Sequence, residues 1–208
     1  RAPRNDDPHL AEVGQALEGE LSAGMDWESY RLEGFFGGSL LMSPGWNGGA
    51  YGRLNLRGKL QTRIWRRLTA RTAVCASRAW GDPPPHVLPA LAGALSSNSH
   101  LFRRGGCGLA GYGESLERGR WALSARQSLA LPPYGILGLV FPRAYAAAAV
   151  LGDRPSELQA DGARLAAGIE LGLPLVTAYF PIWLSHPPEG DDEIDFRWAI
   201  SLDFMPGI

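Results

Sequence analysis

The chain has 208 residues, 45% of them hydrophobic and 20% charged, with a formal net charge of −1. This balance excludes a disordered chain and provides neither a basic surface for nucleic acid nor an acidic tail. The 27 Gly and 16 Pro, together with seven Trp, suit many strands joined by turns better than a helix bundle.

No apolar run approaches the roughly 20 residues of a membrane helix, but a barrel strand needs only about 9–11. Export would imply a signal peptide already removed or encoded upstream of Arg1. Residues 1–14 read as an N-terminal extension, and period-two alternation begins after them. Leu17, Gly19, Leu21, Ala23 and Met25 alternate with Glu18, Glu20, Ser22 and Gly24. Tyr30, Leu32, Gly34, Phe36, Gly38 and Leu40 then alternate with Ser29, Arg31, Glu33, Phe35 and Ser39.

The third stretch is the clearest. Tyr51, Arg53, Asn55, Arg57, Lys59, Gln61 and Arg63 form one face, and Gly52, Leu54, Leu56, Gly58, Leu60, Thr62 and Ile64 the other. A helix would scatter these charges all round, so the segment reads as a strand longer than the globular mode of about 5–6 residues. Leu68, Ala70, Thr72, Val74 and Ala76 follow, interleaved with Thr69, Arg71, Ala73, Cys75 and Ser77. Residues 15–80 thus form a first set of strands, and 81–118 a long loop. Five further candidate strands occupy 119–131, 135–150, 161–173, 174–185 and 193–205. No convincing helix is found.

About nine antiparallel strands with one apolar face predict an all-β transmembrane barrel. Its apolar side chains then meet lipid, and Glu18, Glu20, Arg31, Glu33, Arg53, Arg57, Lys59, Arg63 and Arg71 gather in the lumen. Acidic and basic residues on neighbouring strands are expected to pair there, as charges removed from bulk water require. A soluble sheet with its charged face in water is the alternative. Trp27, Trp46, Tyr51, Trp65, Trp80, Tyr134 and Trp183 lie near strand ends, where interface girdles sit.

The long loop carries Gly81-Asp-Pro-Pro-Pro-His86, then Leu101-Phe-Arg-Arg-Gly-Gly-Cys-Gly-Leu-Ala-Gly-Tyr112. This resembles the inward-folded loop of the BamA-like bacterial surface-antigen superfamily of outer-membrane assembly and secretion barrels. Phe102, Gly105, Gly106, Leu109, Gly111 and Tyr112 fit the family's Phe-x-x-Gly-Gly and Leu/Val-Arg-Gly-Phe/Tyr segments, and five strands follow, as in the family. Ala167-Gly-Ile-Glu170 is similar to its Gly-x-Glu-Leu strand. Phe196, Trp198, Ile200, Leu202 and Phe204 resemble a C-terminal β-signal. The resemblance spans roughly residues 15–205 and implies a barrel in a bacterial outer membrane.

Two departures mark the chain as a degenerate relative. The family's loop arginine is Ala110, and the strand expected to supply its Asp-x-Gly partner reads Ala147-Ala-Ala-Val-Leu-Gly-Asp153. Losing both together is physically consistent, since a lone buried charge is costly. The family's barrels have sixteen strands and open edges do not survive in lipid, so nine strands leave two readings: the C-terminal part of a larger barrel, which is the preferred expectation, or a small barrel that closes by itself.

Cys75 falls on the charged face and Cys107 in the loop. A disulfide between them would suit an oxidising compartment, but two unpaired thiols is the preferred expectation. His9, His86, His100 and His186 show no metal spacing, and no Gly-x-Ser-x-Gly or comparable nucleophile motif occurs. No catalytic residue, metal site or cofactor is therefore expected. The expected function is a structural outer-membrane anchor or a subunit of a larger membrane complex. Its partners would be lipid and other protein chains, or an upstream domain of the same precursor, and not nucleic acid. An assembly or translocation pore and a soluble all-β binding protein are the alternatives.

Overall fold

The computed structural model describes residues 18–30, 32–44, 49–65, 68–85, 87–91, 109–112, 117–130, 140–172, 176–187 and 192–202. Nine antiparallel strands form one sheet in strict sequence order: β1 (Gly19–Glu28), β2 (Leu32–Ser43), β3 (Tyr51–Trp65), β4 (Leu68–Gly81), β5 (Trp121–Ala130), β6 (Phe141–Gly152), β7 (Arg164–Gly172), β8 (Val176–Leu184) and β9 (Ala199–Leu202). Two short 3-10 turns, Pro155–Glu157 and Ala160–Gly162, join β6 to β7. The sheet is not closed: among the described residues it ends at β1 and β9.

Register carries the alternation across the sheet. Leu21 pairs with Leu40 and Leu40 with Leu54; Leu56 pairs with Ala76, Ala76 with Leu123, and Leu123 with Val150. Because side chains alternate faces strictly, these pairings collect the apolar sets of successive strands on one side. That side is left uncovered by the described residues. Leu21 is 76% exposed, Phe36 52%, Val74 52%, and Leu56, Leu60, Leu123 and Ile169 remain exposed with them.

The polar residues Thr72, Gln127 and Arg78 on this face are locally satisfied. The Thr72 hydroxyl donates to Gln127 Oε1 at 2.6 Å across β4 and β5. The Arg78 guanidinium lies 4.6 Å over the Trp121 ring at the strand ends. Tryptophans also cover glycines here. A Cβ on Gly34 would fall 2.0 Å from the Trp27 ring, so the indole lies flat across the β1–β2 pair only because residue 34 has no side chain.

Several expectations need adjustment at their ends. The sixth strand begins at Phe141 and the seventh at Arg164, after the 3-10 turns. Among the described residues the last strand is Ala199–Leu202, so Phe196 and Trp198 precede it as exposed side chains instead of belonging to it. Tyr51 is buried on the polar face, which removes it from any aromatic girdle.

Candidate functional site: the polar face and its covering loop

The opposite face is built from the polar half of each alternation. Directly opposed Ser39, Asn55 and Ser77 form a chain across β2, β3 and β4. Ser77 Oγ donates to Asn55 Oδ1 at 2.7 Å, and Asn55 Nδ2 donates to Ser39 Oγ at 3.2 Å. Asn55 and Ser77 are both buried, so each bond avoids the cost of an unsatisfied polar atom.

Four of the positions picked out as inward charges, Glu18, Glu33, Arg53 and Arg71, are joined to neighbours by hydrogen bonds. Tyr51 donates to the Glu18 carboxylate at 2.9 Å, and Arg53 Nη1 to the Val87 carbonyl at 3.0 Å. Gln61 donates to Glu33 and accepts from Arg71 through Nε and Nη2. Arg57 and Lys59 also have interaction partners. Glu20 and Arg63 are exposed, and Arg31 lies outside the described residues.

The strongest electrostatic feature was missed by the sequence reading. Glu170 on β7 is 4% exposed and receives Arg143 from β6, with Arg126 from β5 at 3.7 Å. The Arg126 guanidinium also lies 5.1 Å over Tyr145 and 4.8 Å over Tyr179, whose rings meet edge to face at 6.2 Å. Arg126 lies between Ser124 and Ser128 on β5, Arg143 and Tyr145 are neighbours on one face of alanine-rich β6, and Glu170 and Tyr179 sit on β7 and β8. The usable signal was parity alone: all five fall on the polar half of their alternation.

The long loop packs against this face. Leu91, Leu109, Ala110 and Tyr112 join Tyr145, Ala147, Ala149, Ala166 and Leu184 in one buried cluster. The alanines of β6 and β7 leave the space that the loop fills. Gly111 adopts φ +99°, where a Cβ would approach Leu184 and Pro181, so glycine is required by both conformation and packing. Tyr112 donates its hydroxyl to the Leu165 carbonyl at 3.0 Å. Leu109 N–H donates to the Leu91 carbonyl at 2.9 Å, and Arg164 on β7 pairs with Glu117 at 2.8 Å.

Of the loop motif, Leu109, Gly111 and Tyr112 are therefore brought onto the sheet, while Phe102, Gly105 and Gly106 lie outside the described residues. Ala110 is fully buried within the apolar cluster. Cys75 forms a disulfide, against the expectation of free thiols; the only other cysteine, Cys107, lies outside the described residues. Of the β-signal positions, Ile200 and Leu202 lie in β9, Phe196 and Trp198 precede it, and Phe204 is outside the described residues. Among the described residues no group of three or more His, Cys, Asp or Glu is placed to hold a metal, and no helix is long and apolar enough to cross a membrane.

No protein-family model matches the chain, and comparison with curated proteins finds no match either.

Proposed function

We propose that this chain is a transmembrane β-barrel segment of a bacterial outer membrane, acting as a structural anchor or as a subunit of a larger membrane complex. The observation that carries the reading is the inverted distribution of polarity. One face of a nine-stranded sheet exposes leucine, isoleucine, valine and phenylalanine from β1 to β8. The other buries a carboxylate and an Asn–Ser network, half-buries the arginines that meet that carboxylate, and packs part of the long loop against its alanines. A soluble monomer seldom exposes an apolar patch beyond a few hundred Å², whereas lipid requires one. Strands of 9–15 residues over β1 to β8 suit the roughly 9–11 that cross a bilayer.

An anchor is favoured over an assembly pore by Ala110, which puts a methyl group in an apolar cluster where the resembling family has a working cation. A soluble sandwich is disfavoured because no second sheet covers the apolar side among the described residues. The test is fractionation of the expressed chain. Recovery with outer membranes, extraction only by detergent, and a mobility change on boiling in denaturing gels are the expected results. A monodisperse protein in detergent-free buffer would end the reading.

A further inference from the structure

The exposed apolar face is not uniform. Across β3 to β6 it holds a concavity of about 530 Å3, within the roughly 300–1,000 Å3 of small-ligand sites. Gly58, Ala76, Ala125 and Ala148 put no side chain beyond Cβ into it, and Phe36 and Val150 stand at its two sides. One rung further along β4, about 7 Å beyond Ala76 at the strand rise, Arg78 stands between Leu54 of β3 and Trp121 of β5. Among the described strands it is the one charged residue whose register falls on this face. Arg78 is exposed, and no carboxylate among the described residues pairs with it. Its stacking over Trp121 engages the flat face of the guanidinium, whose N–H donors lie in the edge and suit oxygen acceptors. Trp80 lies across Gly52 at the same end, so two indoles and a cation share one depth, as side chains at a membrane interface do.

We infer that this groove and Arg78 form a site for one anionic diacyl lipid, with an acyl chain in the groove and the headgroup on Arg78. The inference rests on the membrane-barrel reading and names the class of lipid that this face selects. It is independent of any sheet edge, because β3, β4, β5 and β6 are each paired on both sides and no further strand can enter there. The long loop is held elsewhere: Leu91 and Leu109, which bound residues 92–108, are hydrogen-bonded to each other within the cluster on the opposite face. A second copy presenting the same face would bring another arginine and no anion.

The test uses the full chain in phosphatidylcholine nanodiscs carrying a trace of lipid with a diazirine in one acyl chain. The probe is either a phosphatidylglycerol or a phosphatidylcholine with identical chains. Phosphatidylglycerol crosslinks are expected to concentrate at residues 56–58, 74–76, 123–125 and 148–150, about fivefold above the phosphatidylcholine probe, the effect of one cation beside an anionic headgroup. Arg78→Gln should erase that headgroup preference. Ala125→Phe, which fills the groove, should move the crosslinks off it; if this variant does not insert, Arg78→Gln decides alone. Soluble glycerol phosphate should not compete, because the acyl chain contributes to binding.

Equal labelling by the two probes, or crosslinks spread evenly over the apolar face, would overturn the proposal. So would a groove left unlabelled beneath another segment of the chain or a second copy, or displacement of the probe by glycerol phosphate. An inserted chain that gives any of these results sinks this inference alone. A chain that stays monodisperse without detergent sinks the barrel reading, and the lipid site with it.

Discussion

The Tyr112 hydroxyl donates a hydrogen bond to the Leu165 carbonyl at 3.0 Å, tying the long loop to the start of β7. Tyr112 is 1% exposed, so ring and hydroxyl act together: the ring fills space beside the alanines, and the hydroxyl satisfies a backbone acceptor. Tyr112→Phe should therefore cost about 1 kcal/mol, the worth of one hydrogen bond. Tyr112→Ala should cost about 3–5 kcal/mol through the cavity it leaves. Urea unfolding in lipid or detergent measures both. Equal losses for the two variants would mean that the ring does not pack as described.

Glu170 makes a second prediction. It is the carboxylate that both Arg126 and Arg143 face, and its side chain is only 6% exposed. Removing one partner of a buried pair leaves uncompensated charge, so Glu170→Gln should destabilise by about 3–5 kcal/mol. Adding Arg143→Gln should recover part of that loss, because the two residues are coupled. Strict additivity in the double-mutant cycle would show that the pair does not interact in solution.

The Asn55–Ser77 bond lies in the same polar layer, and both residues are buried. Asn55→Leu should leave the Ser77 hydroxyl and the Ser39 hydroxyl without this partner, at a cost of about 1–3 kcal/mol. Pairing it with Ser77→Ala should lessen the penalty. A neutral Asn55→Leu variant, read from the unfolding midpoint at unchanged m-value, would contradict the network.

Cys75 provides a chemical prediction. It is disulfide-bonded, so a maleimide should label it only after reduction. Peptide mapping without reductant should recover it joined to Cys107, the only other cysteine. Reduction should lower stability by about 2–4 kcal/mol, the usual range for a disulfide. Labelling of Cys75 in the unreduced protein would refute this.

Much of the strand content was legible because alternation is a local property. In β3 the charged set Arg53, Arg57, Lys59 and Arg63 defines one face without help from any neighbour. The end of the chain was less legible, since Phe196-x-Trp198-x-Ile200 alternates as a strand does but pairs only from Ala199. The Arg126–Arg143–Glu170 cluster was invisible for another reason. Its members come from three strands, and nothing in Ala144 to Ala149 signals that Arg143 meets a carboxylate 27 residues later. Cross-sheet assembly depends on register, which single-strand periodicity does not contain.

Sidedness also predicts unequal tolerance of charge at one depth. Leu56→Arg and Leu60→Arg should each cost about 2–4 kcal/mol if they face lipid near the midplane. Ser22→Arg belongs to the row of Ser39, Asn55 and Ser77 on the polar face, beside acidic β1 positions, and should cost well under 1 kcal/mol. Similar costs at all three positions would mean the faces are misassigned.

The most direct measurement of the central claim is a spin-label scan in reconstituted bilayers at Ser22, Leu54, Leu56 and Leu60. Labels at the three leucines should be accessible to dissolved oxygen and shielded from a water-soluble nickel complex, with the reverse at Ser22. Free access of the nickel complex to Leu56 and Leu60 would show that the exposed apolar face meets water or protein instead of lipid, and the transmembrane account would fall.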